Sequence, residues 1–403
     1  MKKQIHIPGD KSISHRAVML GALANGETVI NGFLASADCL ATIKCFQQLG
    51  IQVTRIQETS YKIIGKGLRG LQKADGVLDV GNSGTTIRLL SGILAGQNFT
   101  SEITGDASIQ KRPMKRIFEP LTLMGARIVG KVRDNNIYAP LKITGTKLKG
   151  ITYELPVASA QVKSAVMLAG LFAEGETTVV EKIKSRDHTE RMFRYFAATK
   201  NGFPGKVVDV PGDISSAAFF MVLGLITPNS ELTIYNVGLN PTRTGIIDVL
   251  RQMGGKIEIK DEQILSEEPR GTIVIKTSKL KGIKIDGAII PRIIDEIPII
   301  AVAATQAKGK TEIRGARELR VKESDRIATI ASELRKMGAK IEELEDGLII
   351  EGPTKLHGAA IDSHGDHRIA MACSIAAKVA DGETKINDVD CIETSFPGFS
   401  TLI

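Results

Sequence analysis

The sequence predicts a mixed α/β (α+β) protein built from six copies of a βαβαββ-like unit. Three recurring signals carry that prediction. The first is Gly-x-Thr-x-hydrophobic, a turn entering a strand, at Gly26–Ile30, Gly175–Val179, Gly309–Ile313 and Gly382–Ile386. The second is an amphipathic helix that stops on Gly and feeds a strand, around Leu49-Gly50, Met124-Gly125, Met253-Gly254 and Met337-Gly338. Gly after the last apolar helical residue is the usual helix stop. The third is a strand end, a polar turn and an apolar helix, beginning near Ile7, Leu78, Leu155, Val210, Ile285 and Ile361. The order of elements recurs, which is the mark of a repeat.

Two of these turns match most closely: Ile7-Pro8-Gly9-Asp10-Lys11-Ser12 and Val210-Pro211-Gly212-Asp213-Ile214-Ser215. They are the natural places for the chain to cross between domains. The expected division is residues 1–9 plus 212–403 for domain one and 10–211 for domain two. Each domain then holds three units, and the active site is expected in the cleft between them.

Taken in order, the turns differ where a site needs them to. Pro8-Gly9 ends an extended segment, and Asp10 can cap the helix that follows. Lys11, Ser12 and Arg16 then add two cations and a hydroxyl to a helix N-terminus, which already attracts anions. Gly81–Arg88 offers small residues whose backbone N–H groups can approach a ligand closely. Gly105–Pro113 contributes Lys111 and Arg112, and Ser159–Ser164 puts polar residues in the first turn of an apolar helix. Ser185–Glu190 reads as a helix start, and Arg292–Glu296 places two carboxylates at a turn. Arg320–Arg326 alternates charge, and His364–Arg368 opens a helix. Taken singly, most of these also read as caps or solvated helix faces. His364 and His367 lack further ligands at metal spacing, so no metal is expected. Ile214 stands where the first copy has Lys11, which points to a ligand rather than the fold as the reason for Lys11.

The bulk properties narrow the function. A chain of 403 residues with 42% hydrophobic and 24% charged residues is globular and large enough for two domains. The net charge of +8 suits anionic partners. Aromatic residues make up only 4% and Lys and Arg are dispersed, which argues against a nucleic-acid-binding protein. No apolar stretch approaches a membrane span, and no signal-peptide core follows Lys2-Lys3. Cys39, Cys45, Cys373 and Cys391 form no Cys-x-x-Cys pair, so reduced thiols and a cytoplasmic location are expected.

Together, Pro8–Arg16, Gly81–Arg88, Lys111–Met114, Ser159–Lys163, Pro211–Ser216, Arg320–Arg326, Asp366–Arg368 and Cys391–Phe399 resemble the 5-enolpyruvylshikimate-3-phosphate synthase family. The resemblance runs nearly end to end. It implies a two-domain inside-out α/β barrel, three units per domain, acting as a monomer without metal or organic cofactor. It also implies transfer of the enolpyruvyl group of phosphoenolpyruvate to the 5-hydroxyl of shikimate 3-phosphate, in the pathway to chorismate and aromatic amino acids. Carried over by motif, shikimate 3-phosphate is held by Lys11, Ser12, Arg16, Ser159, Ala160, Gln161, Ser185, Asp295 and Lys322. Phosphoenolpyruvate is held by Lys11, Gly84, Arg112, Gln161, Arg326 and Arg368. Asp295 is the base on the 5-hydroxyl, Glu323 moves the proton at C3, and Lys11 assists at the developing charge. Inhibition by glyphosate, which shares phosphoenolpyruvate's charge pattern, is a further expectation.

The chain departs from that family in three places. The Met192–Val210 interval is short, Thr394 stands where many relatives carry Lys, and Leu89 replaces a Pro. The sister enolpyruvyl transferase acting on UDP-N-acetylglucosamine is the alternative. It usually carries a Cys in the loop where this chain has Ala107-Ser108.

Overall fold

The computed structural model describes residues 2–287 and 289–403. By internal contacts the chain divides into two units. One comprises Met1–Pro8, Pro211–Ile264 and Pro269–Ile403, and the other Gly9–Val210 with Leu265–Glu268. Each has its own apolar core.

The repeat is visible in the sheets. In the second unit the strand order is Val207–Asp209, Asn25–Asn31, Ser60–Lys66, Gln52–Gln57. The first pair is parallel and the others antiparallel. Leu78–Asp79, Thr100–Thr104, Asn136–Thr144 and Arg127–Arg133 repeat that pattern. The first unit holds two matching four-stranded sheets. One runs Lys2–His6, Glu231–Gly238, Glu268–Lys276, Lys256–Leu265, and the other Lys284–Ile285, Gly309–Ile313, Gly347–Gly352, Lys340–Leu344.

The third copy in each unit is shortened to a parallel pair, Thr152–Glu154 with Thr178–Val180 and Ala360–Asp362 with Lys385–Asn387. The short Met192–Val210 interval explains the first case. The helix His188–Phe196 ends on left-handed Ala197, and after one loop the chain enters Val207–Asp209 of the first sheet. The outer hairpin of a complete copy has no residues left to build it. Among the described residues the strands form these six separate sheets rather than a closed barrel.

Local chemistry sets these elements. Gly26 and Gly309 enter their strands at φ +94° and +99°, with nothing within 4 Å of a would-be Cβ. The backbone conformation, not space, requires Gly there. Helices Ile214–Ile226 and Ile297–Thr305 are apolar all round, so they are buried and form the centre of their core. The Ser395–Phe399 segment is an aromatic anchor: Phe396 and Phe399 lie 5.9 and 5.7 Å from the ring of Phe220. No helix among the described residues is long and apolar enough to cross a membrane. Burial pushes the thiols of Cys45 and Cys373 up to about 12, so they pack as inert apolar groups.

Candidate active site

Lys11, Ser12, Gly84, Ser159, Ala160, Gln161, Asp295 and Arg368 lie at or beside the starts of six recurring helices, whereas Arg112, Ser185, Lys322, Glu323 and Arg326 lie in the connecting loops or at the starts of other helices. The six recurring helices begin at Lys11, Gly84, Ala160, Ile214, Ile297 and His367. Their caps are Asp10, Ser83, Ser159, Asp213, Glu296 and Asp366. Five of these side chains accept a hydrogen bond from their own first turn, and Glu296 does not. A capped N-terminus presents its remaining N–H groups and the positive end of the helix dipole to an anion.

In the second unit, three helix starts carry the expected substrate residues. Lys11 Nζ lies 3.2 Å from Asp38 Oδ2 at the first turn of helix Ala37–Gln48. Arg16 is buried and serves the protein itself. Its Nε donates to Thr189 Oγ1 at 2.7 Å, Nη1 to the Ser12 carbonyl at 3.0 Å and Nη2 to Ser164 Oγ at 2.6 Å. Burial lowers its pKa to about 10, with Arg186 adding to the effect and Glu190 and Asp10 opposing it. Ser12 is half-buried beside it.

Gly84, Arg88, Arg112 and Gln161 gather into one cluster. A Cβ on Gly84 would stand 3.0 Å from Arg112 Nη1 and 3.3 Å from Arg88 Nη1. Arg112 donates to Asn82 Oδ1 at 2.7 Å and Ser108 Oγ at 3.0 Å. Gln161 accepts from Arg88 at 2.5 Å and donates to Thr85 Oγ1 at 3.2 Å. Ser159 caps its helix, and Ala160 and Gln161 beside it are half-buried. Ser185 donates through its backbone N–H and its hydroxyl to Glu181. Glu181 in turn pairs with buried Lys163 at 2.9 Å. Burial opposes the Glu181 charge, but hydrogen bonds from Ser185 and Lys163 outweigh it and hold its pKa below the usual carboxylate range.

In the first unit the centre is Arg326, only 2% exposed along its side chain. Three carboxylates surround its guanidinium: Glu323 at 2.6 Å, Asp366 at 2.8 Å and Asp295 at 3.2 Å. Burial works against its charge, yet Asp366, Glu323 and Asp295 together raise its pKa above the ordinary arginine value. Asp366 is fully buried, whereas Asp295 and Glu323 are about a fifth exposed. Arg368 sits separately: its Nη1 donates to the Ser215 carbonyl at 3.3 Å and its guanidinium lies 5.9 Å from the Phe219 ring centre. Lys322 is half-buried just after the 3-10 helix Arg317–Val321. Thr394 donates to the Cys391 carbonyl at 2.7 Å, a local cap with no cationic role.

Sequence reasoning missed Asp38, Arg88, Glu181 and the holding role of Asp366. Arg88 and Asp366 lie inside motifs already marked, so position within the motif was their signal. Asp38 announced itself only as an acid in a first helical turn, and Glu181 not at all.

Comparison with known proteins identifies the family. A family model described as EPSP synthase (3-phosphoshikimate 1-carboxyvinyltransferase) matches residues 1–402. A 3-phosphoshikimate 1-carboxyvinyltransferase from Brevibacillus brevis is 55% identical over 100% of this chain and 97% of its own. One from a Thermoanaerobacter species is 54% identical over 99% and 96%. The solved EPSP synthase of Acinetobacter baumannii superposes with a TM-score of 0.88 at 46% identity, covering 100% of this chain and 94% of that one. The enolpyruvyl transferase NikO of Streptomyces tendae shares the fold alone, with a TM-score of 0.80 at 15% identity. With capped, cation-rich helix starts in one unit, acids around one guanidinium in the other, and relatives of this name along its whole length, the chain belongs to the EPSP synthase (3-phosphoshikimate 1-carboxyvinyltransferase) family.

Proposed function

We infer that the chain transfers the enolpyruvyl group of phosphoenolpyruvate to the 5-hydroxyl of shikimate 3-phosphate, releasing phosphate. The observation that carries the mechanism is the arrangement at Arg326. Asp366 alone neutralises this cation from the buried side. Asp295 and Glu323 are additional negative charges on its exposed side. An anionic group of phosphoenolpyruvate competes for that side and releases both acids for proton transfer.

The steps follow from charge and proton balance. Once released from Arg326, Glu323 takes up a proton from solvent; the 5-hydroxyl oxygen then bonds to C2 of phosphoenolpyruvate while Asp295 takes the hydroxyl proton and Glu323 gives its own to C3. Lys11, Arg112, Arg326 and Arg368 balance the phosphate and carboxylate charges, with Gly84 leaving room for the ligand beside its helix start. In the second half Glu323 takes a proton back from C3, the C2–O bond to phosphate breaks, and phosphate leaves. Ser12, Arg16, Ser159, Ala160, Gln161, Ser185 and Lys322 hold shikimate 3-phosphate. Arg16 does so by fixing Ser12, whose carbonyl it grips. Glu181 does the same for Ser185. The partners are small anions. The chain acts as a monomer, for which light scattering should give 43.3 kDa.

The test is turnover in deuterated water. Protonation at C3 followed by loss of a proton puts deuterium into the product's methylene group. Glu323→Gln should abolish this label. Deuterium entering at the wild-type rate in that variant would contradict the assignment.

A further inference from the structure

Glu296 is next to the proposed base Asp295, yet it behaves differently. It is fully buried, and it is the only one of the six caps whose side chain does not bond its own helix. Pro298 follows at the start of that helix and contributes no N–H to cap. The Glu296 carboxylate instead accepts the hydroxyl hydrogen of Ser215, on helix Ile214–Ile226. Arg243, 2% exposed along its side chain, donates to the same hydroxyl at 2.7 Å and to Asp213 Oδ1 at 2.9 Å. Asp213 in turn accepts from Ser215 N at 2.9 Å.

The Ser215 hydroxyl thus joins the Glu296 carboxylate to the Arg243 guanidinium at a helix start whose N–H is held by Asp213, and a helix start, a hydroxyl and a guanidinium are the parts of an anion site. They are also the parts found at Lys11 and Ser12, in the matched turn of the other unit. There Ser12 is half-buried, whereas Ser215 has no exposure. The cation comes from Arg243 because Ile214 replaces Lys11.

We propose that Glu296 is an internal ligand. Its carboxylate fills the anion-binding turn at Ser215 and thereby positions Asp295 and Arg368. Asp295 is held because it is the preceding residue in the chain. Arg368 is held because its guanidinium donates to the carbonyl of the same Ser215. Glu296, Ser215 and Arg243 are thus positioning residues, and this step rests on the roles given to Asp295 and Arg368 above.

Chemical rescue tests it. Glu296→Ala should lower kcat/KM for phosphoenolpyruvate about tenfold or more, and formate at tens of millimolar should restore part of it, with chloride of equal ionic strength as control. Formate should also raise the melting temperature of Glu296→Ala by roughly 3 °C and leave wild type unmoved. The melting shift does not need turnover. A wild-type chain inactive towards shikimate 3-phosphate would therefore overturn the functional reading while the shift still judged the internal ligand. A folded Glu296→Ala indifferent to formate overturns the proposal. Should that variant fail to fold in either salt, Glu296→Gln and Ser215→Ala decide. Both keep the shape of the turn, and both should lower kcat and raise KM for phosphoenolpyruvate. If both retain wild-type kcat and KM, the positioning role is refuted.

Discussion

Asp366 Oδ2 accepts from Arg326 Nε at 2.8 Å, and neither side chain is more than 2% exposed. Asp366 also accepts from Nη2 at 3.3 Å, a nitrogen it shares with Glu323, and Nη1 is left to Asp295. Removing one partner of a buried ion pair costs roughly 3–5 kcal/mol because the other charge is stranded. Asp366→Asn should therefore destabilise the protein by about that amount, less whatever Asp295 and Glu323 offset. Denaturant titration checks this, and a change under about 1 kcal/mol would show that those two acids suffice.

Glu323→Gln keeps a side chain of the same shape beside Arg326 but cannot move a proton. It should lower kcat by about 100-fold or more and leave phosphoenolpyruvate bound at least as tightly as in wild type, because a neutral side chain no longer competes for Arg326. Steady-state kinetics with a binding titration separates the two quantities. Near-normal kcat would remove Glu323 from the chemistry.

Gly84→Ala should weaken glyphosate inhibition. The new Cβ would lie 3.0 Å from Arg112 Nη1, so the guanidinium must shift by a few tenths of an ångström. A misplaced cation in a tight anion site should raise the inhibition constant about tenfold. An unchanged constant would place the inhibitor away from this cluster.

His15 gives the second unit a pH limit. It is buried, with Nδ1 2.7 Å from Thr42 Oγ1, which lies 2.7 Å from Thr86 Oγ1. Burial lowers its pKa well below the ordinary value, and Lys11 and Arg16 add to the effect. Above pH about 6.5 neither folded nor unfolded chain protonates this ring. As pH falls below that value the unfolded state takes a proton the native state refuses, so stability drops, by up to about 1.4 kcal/mol per pH unit. His15→Asn should flatten the stability curve on the acid side of 6.5. An unchanged slope would assign the acid sensitivity to other groups.

The helix starts were legible because their signals are local. Pro8-Gly9-Asp10, Ser83, Ser159 and Asp366 announce turns and caps within a few residues, and five of the six caps do what such residues do. The short Met192–Val210 interval signalled a departure in one third copy without deciding its form, and the matching reduction to Ala360–Asp362 with Lys385–Asn387 had no signal in the sequence. The partners of the site were not legible, because Lys11 meets Asp38 27 residues away, and Arg326 meets Asp295 31 and Asp366 40 residues away. No local pattern encodes such pairings. Asp295 and Glu296 are adjacent acids of equal promise in the sequence. Only burial tells them apart, since Asp295 reaches Arg326 and Glu296 turns inward to Ser215.

The identity of the acceptor decides which reaction the protein performs. Phosphate release from phosphoenolpyruvate should be measured with purified protein, once with shikimate 3-phosphate and once with UDP-N-acetylglucosamine. Turnover with the first and none with the second is predicted. Turnover with UDP-N-acetylglucosamine alone, or with neither, would contradict it.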